Sequence, residues 1–210
     1  WNSRSLNSTC KSSETQFSYL MQMLLYHREK GVDRERLERF VFRDRDVDNV
    51  HHALQSVVYN TKRRLRASGL PDVNYIVQDK GVFRWTDEIP LVTDVEEFSR
   101  LTREGEAEQD PERKLSLYLT ACSRYRGEFL PSQTAAIWAT QAARQCRNQF
   151  CLCVERAAGL LREKEDYETM EELGTYASRV DPLADWETVT MESLVSRGLY
   201  NESRELYSET

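Results

Sequence analysis

Apolar residues recur at helical spacing in one segment after another, with one interruption where the spacing becomes that of strands. Between Glu14 and His27, Phe17, Leu20, Met21, Leu24 and Leu25 form a single stripe. Ser13 with Gln16 reads as a capping box for that helix, and Lys30-Gly31 as its stop. Asp33 caps a second helix reaching about Phe42, with Val32 and Leu37 as a hydrophobic staple and Leu37, Phe40 and Val41 turned inward. A third helix, about Val47 to Arg66, buries Val50, Ala53, Leu54, Val57, Val58, Thr61 and Leu65. Its opposite face is polar. After Ser68-Gly69-Leu70-Pro71, β-branched and aromatic residues flank Asp79-Lys80-Gly81, and Tyr75 to Trp85 reads as a β-hairpin.

From Thr93 onward the pattern is helical throughout. Spans are expected near 94–107, 111–122, 133–163, 166–179, 183–197 and 200–208. Thr93-Asp94-Val95-Glu96 is a capped start, and Asp110-Pro111 and Asp181-Pro182 each set a capping acid before a proline at the first helical position. Short turns predict antiparallel helical hairpins, stacked as in a degenerate tetratricopeptide array.

The overall charge of −6 conceals two halves of opposite sign. Residues 1 to 92 carry 15 Lys and Arg against 12 Asp and Glu, a net +3, whereas residues 93 to 210 carry 14 against 23, a net −9. Only the first half is suited to phosphate. No apolar run approaches the roughly 18 residues of a membrane span, and Trp1-Asn2-Ser3-Arg4 does not open a signal peptide, so the expectation is a cytoplasmic chain that meets no membrane. Five cysteines, Cys10, Cys122, Cys146, Cys151 and Cys153, are an odd number scattered over helical positions and read as reduced.

Chemistry of other kinds finds little footing. There is no phosphate-binding glycine loop, HExxH or GxSxG element, so no catalytic residue is assigned and no enzyme is expected. His51 and His52 are adjacent and point about 100° apart on a helix, and nothing is placed to complete a metal site. Cys151-Leu152-Cys153 is tighter than a zinc or redox Cys-x-x-Cys and reads as helix packing. Trp1, Trp85, Trp138 and Trp186 read as core or interface, and no cofactor is called for.

Three helices, a basic hairpin and an all-helical segment, in that order, resemble an OmpR-type winged helix joined to a bacterial transcriptional activator domain, as in the Streptomyces antibiotic regulatory protein family. Gly31-Val32-Asp33-Arg34-Glu35-Arg36-Leu37 is similar to the family's entry to its second helix, and Asn49 to Leu65, with Ala53-Leu54 and Lys62-Arg63-Arg64-Leu65, to its recognition helix. Tyr75-Ile76 and Gly81-Val82-Phe83-Arg84-Trp85 resemble its wing. Asp94-Val95-Glu96-Glu97-Phe98, Tyr125-Arg126-Gly127-Glu128-Phe129-Leu130-Pro131, Trp138 and Val180-Asp181-Pro182-Leu183 resemble the activator domain's landmarks in sequence. Asn60-Thr61 departs from the Arg-Leu usual in the family, which removes one phosphate-contacting charge. The resemblance also implies strands ahead of the first helix, and the absent Met points to a fragment of a longer protein.

The fold class so implied is mainly α: a winged helix-turn-helix of three helices plus a β-hairpin wing over residues 1–92, then an all-α tetratricopeptide-like domain over 93–210. An α-helix fits the major groove, where base edges display a full donor and acceptor code. Asn49, His51, His52, Gln55 and Ser56, short and polar at the head of the third helix, are the expected base contacts. Tyr59, Lys62, Arg63 and Arg66, with Lys80 and Arg84 of the wing, are the expected backbone contacts, since cations gain counterion-release energy from phosphate but read little sequence. Double-stranded DNA is the expected partner, and the helical half is expected to dimerise or to meet RNA polymerase or another regulatory domain. Two alternatives stay open: Lys62 to Arg66 as the solvated, dipole-favoured cationic end of a helix, and a protein-binding scaffold whose winged helix has lost DNA.

Overall fold

The structure, a computed structural model, describes residues 7–133 and 135–209, with side chains from Thr15 to Ser208 apart from residue 134. Trp1 and the side chains of Cys10 and Ser13 therefore lie outside the described residues. The chain divides into two compact units, Trp1–Leu91 and Val92–Thr210.

In the first unit, helix α1 spans Asn7–Tyr26, α2 Arg34–Val41 and α3 Val50–Ala67. Helix α1 thus starts well before Glu14, and Ser13 lies within it rather than capping it. Among its described side chains Leu20, Met23 and Leu24 are fully buried, an i, i+3, i+4 set on a helix that meets α2 and α3. Helix α2 starts where Asp33 accepts a hydrogen bond from the Arg36 amide at 2.9 Å, and it buries Leu37, Phe40 and Val41. Helix α3 starts at Val50 rather than Val47, because Asn49 Oδ1 accepts from the His52 amide at 3.0 Å and ends the preceding loop there.

Strand β1 (Val32–Asp33) had no signature in the sequence pattern. It joins β2 (Ile76–Asp79) and β3 (Val82–Trp85) in a three-stranded antiparallel sheet of order β1-β3-β2. The two-residue turn between β2 and β3 is Lys80-Gly81, with φ of 45° and 85°. Two successive positive φ values define the turn whose twist matches that of the flanking strands. Val32, Ile76, Phe83 and Trp85 turn inward from the sheet to join the helices' core.

The second unit is helical. Helices α4 (Asp94–Ala107), α5 (Pro111–Arg124), α6 (Ile137–Glu163), α7 (Tyr167–Val180), α8 (Glu187–Ser196) and α9 (Tyr200–Glu209) each pack on the next. Thr93 and Glu96 close a complete capping box on α4, and Asp110 caps α5 with Pro111 in its first turn. Three-residue turns at 108–110, 164–166 and 197–199 send the chain back on itself. Two expectations fail locally. The long helix opens at Ile137 rather than at Gln133, which belongs to a short 3-10 turn, Pro131–Gln133. Asp181 does not cap a helix at Pro182. It closes α7, is buried, and pairs with Arg147 of α6 at 2.9 Å, while α8 starts only at Glu187.

One core runs through this unit. Tyr125 stacks on Phe150 with centroids 4.3 Å apart, Trp186 meets Phe150 edge-on at 6.3 Å, and Tyr118, Leu161 and Met170 are fully buried around them. Gly105 lies so close to the Tyr118 ring, and Gly174 to Thr190, that no side chain fits at either helix crossing. Cys122, Cys146, Cys151 and Cys153 are free thiols in this packing. Among the described residues no helix is long and apolar enough to cross a membrane.

Candidate nucleic-acid interface

Helix α3 is the element around which the polar side chains of the first unit gather. Leu54, Thr61 and Leu65 anchor it inward. At about 100° of rotation per residue, His52, Gln55, Ser56, Tyr59, Arg63 and Arg66 fall together on the opposite side, and all are exposed. At 1.5 Å per residue this strip is about 21 Å long, against a major groove about 12 Å wide. Arg63 and Arg66 lie beyond its first two turns. No acidic residue occurs anywhere in Val50–Ala67.

The polar residues differ in what they have left to offer. Asn49 spends its carbonyl oxygen on the helix cap and keeps its two amide donors. Ser56 donates its hydroxyl proton to the His52 carbonyl at 3.1 Å, so outward it presents only acceptor lone pairs. His52 and Gln55 stand exposed on the strip. Tyr59 is 67% exposed, in the middle of it. Lys62 lies to one side, half-buried, and burial, with the Arg66 charge second, lowers its ammonium pKa from the ordinary lysine value. Arg66 pairs with Asp72 at 2.9 Å, both side chains being largely exposed.

His51 is set apart from the strip. Its ring turns toward α2, where Nδ1 lies 3.2 Å from Glu38 Oε1 and Nε2 lies 3.1 Å from Arg34 Nη1. Nothing in the sequence pattern singles out Arg34 for the site. It is the first residue of α2, and its backbone amide donates to the Gly81 carbonyl in the hairpin turn at 3.0 Å.

Lys80 is exposed at that turn, and Arg84 is half-buried on β3, where its stem covers Gly31. A Cβ at Gly31, which has φ of 74°, would stand 2.5 Å from Arg84 Cγ. Glycine at this position is what lets the arginine stem lie flat on the sheet. Among the described residues no group of three or more His, Cys, Asp or Glu stands close enough to share a metal ion.

Residues 93–210 match the family described as the bacterial transcriptional activator domain. Among solved structures, one of Mycobacterium tuberculosis EmbR in complex with a low-affinity phosphopeptide is similar, with a TM-score of 0.69 and 14% sequence identity. The similarity covers 94% of this chain and 53% of that one, so the chain spans about half its length. At that identity the likeness is one of fold. A comparison with curated proteins finds no match.

Proposed function

The chain belongs to the bacterial transcriptional activator domain family, and from that premise we propose that it is a sequence-specific DNA-binding transcription activator. In this reading the first unit is a winged helix-turn-helix. Helix α3 enters the major groove of double-stranded DNA and the β2–β3 hairpin is the wing. His52, Gln55 and Ser56 contact base edges with the amide of Asn49 beside them, and Tyr59, Lys62, Arg63, Arg66, Lys80 and Arg84 meet the backbone. The helices of the second unit are a tetratricopeptide-like array that dimerises or contacts RNA polymerase or another regulatory domain.

One observation carries this reading: α3 keeps an exposed strip free of acids, with small hydrogen-bonding groups in its first two turns and cations after them. That order matches the division of labour in a duplex, where base edges are read in the groove and phosphates are held at its rims. The test is to select duplexes from random DNA with the chain and titrate the selected sequence with salt. Binding should weaken steeply as salt rises, and the Lys62→Ala, Arg63→Ala, Arg66→Ala triple variant should lose it. Unchanged binding by a folded triple variant rejects the site.

A second reading, a protein-binding scaffold, draws on Asp44, Asp46 and Asp48, exposed in the loop before α3, where they would repel phosphate. Salt-insensitive behaviour toward every duplex, with a captured protein partner, would favour it.

A further inference from the structure

We propose that His51 is a positioning residue: clamped by Glu38, it fixes the Arg34 guanidinium as an additional phosphate contact where α2, α3 and the hairpin turn meet. The proposal rests on the reading of α3 as the DNA helix and adds to it a contact from α2.

Arg34 Nη1 lies 3.1 Å from His51 Nε2 and 3.5 Å from Nδ1, nearly equidistant from the two ring nitrogens, so the guanidinium sits over the imidazole face rather than in the ring plane. The ring edge is held separately, with Nδ1 3.2 Å from Glu38 Oε1. Glu38 is the fixed end, since its side chain is 19% exposed against 50% for His51. Carboxylate, imidazole and guanidinium thus form a chain in which each group orients the next, with the half-buried Arg34 last in line.

The backbone at Arg34 is held as well. Its amide bonds to Gly81, so the residue is tied to the turn that carries Lys80. Its side chain is tied to the first turn of α3 by His51. An arginine ordered before binding loses less rotamer freedom when it meets a phosphate, and its planar donors suit that ligand. With Nδ1 against Glu38 and one ring face under the Arg34 guanidinium, His51 is turned toward α2 rather than along the exposed strip.

The experiment uses the full chain and a labelled duplex selected by it from random DNA. Arg34→Ala should weaken binding equally on every single-base variant of that duplex and make the salt slope shallower by about 0.9, the loss of one phosphate. His51→Ala should shift the slope in the same direction and leave the ranking of base variants intact. His51→Gln, whose planar amide still donates to Glu38 and offers Arg34 a flat face, should behave as wild type. The Arg34→Ala, His51→Ala double variant should bind no more weakly than Arg34→Ala, because the two act through one contact. Circular dichroism and melting of each variant separate loss of contact from loss of fold, and the conservative His51→Gln and Arg34→Lys variants supply readings if an alanine variant unfolds. A changed preference at one base pair in His51→Ala would overturn the proposal by making His51 a reader. An Arg34→Ala slope equal to wild type would overturn it too. Wild-type binding with those outcomes leaves the α3 reading standing, whereas a wild-type chain without salt-dependent DNA binding removes both.

Discussion

Replacing Gly174 with alanine should destabilise the second unit although alanine is the better helix former. Gly174 lies in α7 at its crossing with α8. A Cβ there would fall inside 3.0 Å of Thr190 Oγ1 and 2.9 Å from the Thr190 backbone nitrogen, with Val189 Cβ at 3.3 Å. A branched side chain and a helix backbone give way only if α8 moves. Overpacking of this kind costs about 1–3 kcal/mol, and the upper end applies because backbone is struck. Removing glycine from a helix interior returns about 1 kcal/mol. The net is about 2 kcal/mol of destabilisation, roughly 8 °C in melting temperature for a unit of this size. Gly159 in α6 is the internal control, since a Cβ there meets nothing within 4 Å. Gly159→Ala should gain about 1 kcal/mol from propensity alone. Urea and thermal unfolding of the two variants, followed by circular dichroism, should move the transition in opposite directions. A Gly174→Ala variant as stable as wild type would refute the close crossing of α7 and α8.

Further predictions concern charge and capping. His27 is half-buried, and desolvation first, then the charges of Arg36 and Lys30, lower its pKa below the ordinary 6.5. The folded state therefore resists a proton that the unfolded state takes up, so the His27 contribution is intact above pH 6.5 and is lost as pH falls below it. His27→Gln should flatten that acid-side decline in urea melts at pH 5 to 7, and an unaltered profile would sink the argument. Arg147→Ala should strip the partner from buried Asp181 and cost about 2 kcal/mol, less than a fully buried pair because the arginine is itself 39% exposed; Asp181→Asn in the same background should recover part of the loss by removing the stranded charge. Asn49→Ala should cost about 1 kcal/mol of first-unit stability through the lost cap, and Asn49→Asp should restore it.

Local signals in the sequence carried far, and tertiary ones did not. The capping box at Thr93 and Glu96 and the cap at Asp110 before Pro111 need only neighbouring residues, so α4 and α5 start where the pattern puts them. The phase of α3 was legible for the same reason, because Leu54, Thr61 and Leu65 repeat on one side. Strand β1 is two residues long and exists only through its pairing with Phe83 and Val82, which no local pattern announces. Asp181-Pro182 has the form of a helix start, but an arginine 34 positions earlier in the chain claims the carboxylate and draws it into the core. At the candidate site, the exposed strip could be read from periodicity, whereas the turn of His51 toward Glu38 and Arg34 follows from how α2 packs on α3. The signal that was available, an arginine and a glutamate four residues apart on α2, is common on helix surfaces and singles out nothing by itself.

The claim on which the functional account stands is that the polar strip of α3 lies in a major groove. Methylation interference on the selected duplex tests it directly, because a methyl at guanine N7 projects into the major groove and one at adenine N3 into the minor groove. N7 methylation at the centre of the site should block binding, and the Gln55→Ala, Ser56→Ala variant should lose this position-specific block while keeping its salt dependence. Binding that tolerates every N7 methyl across the site would contradict it.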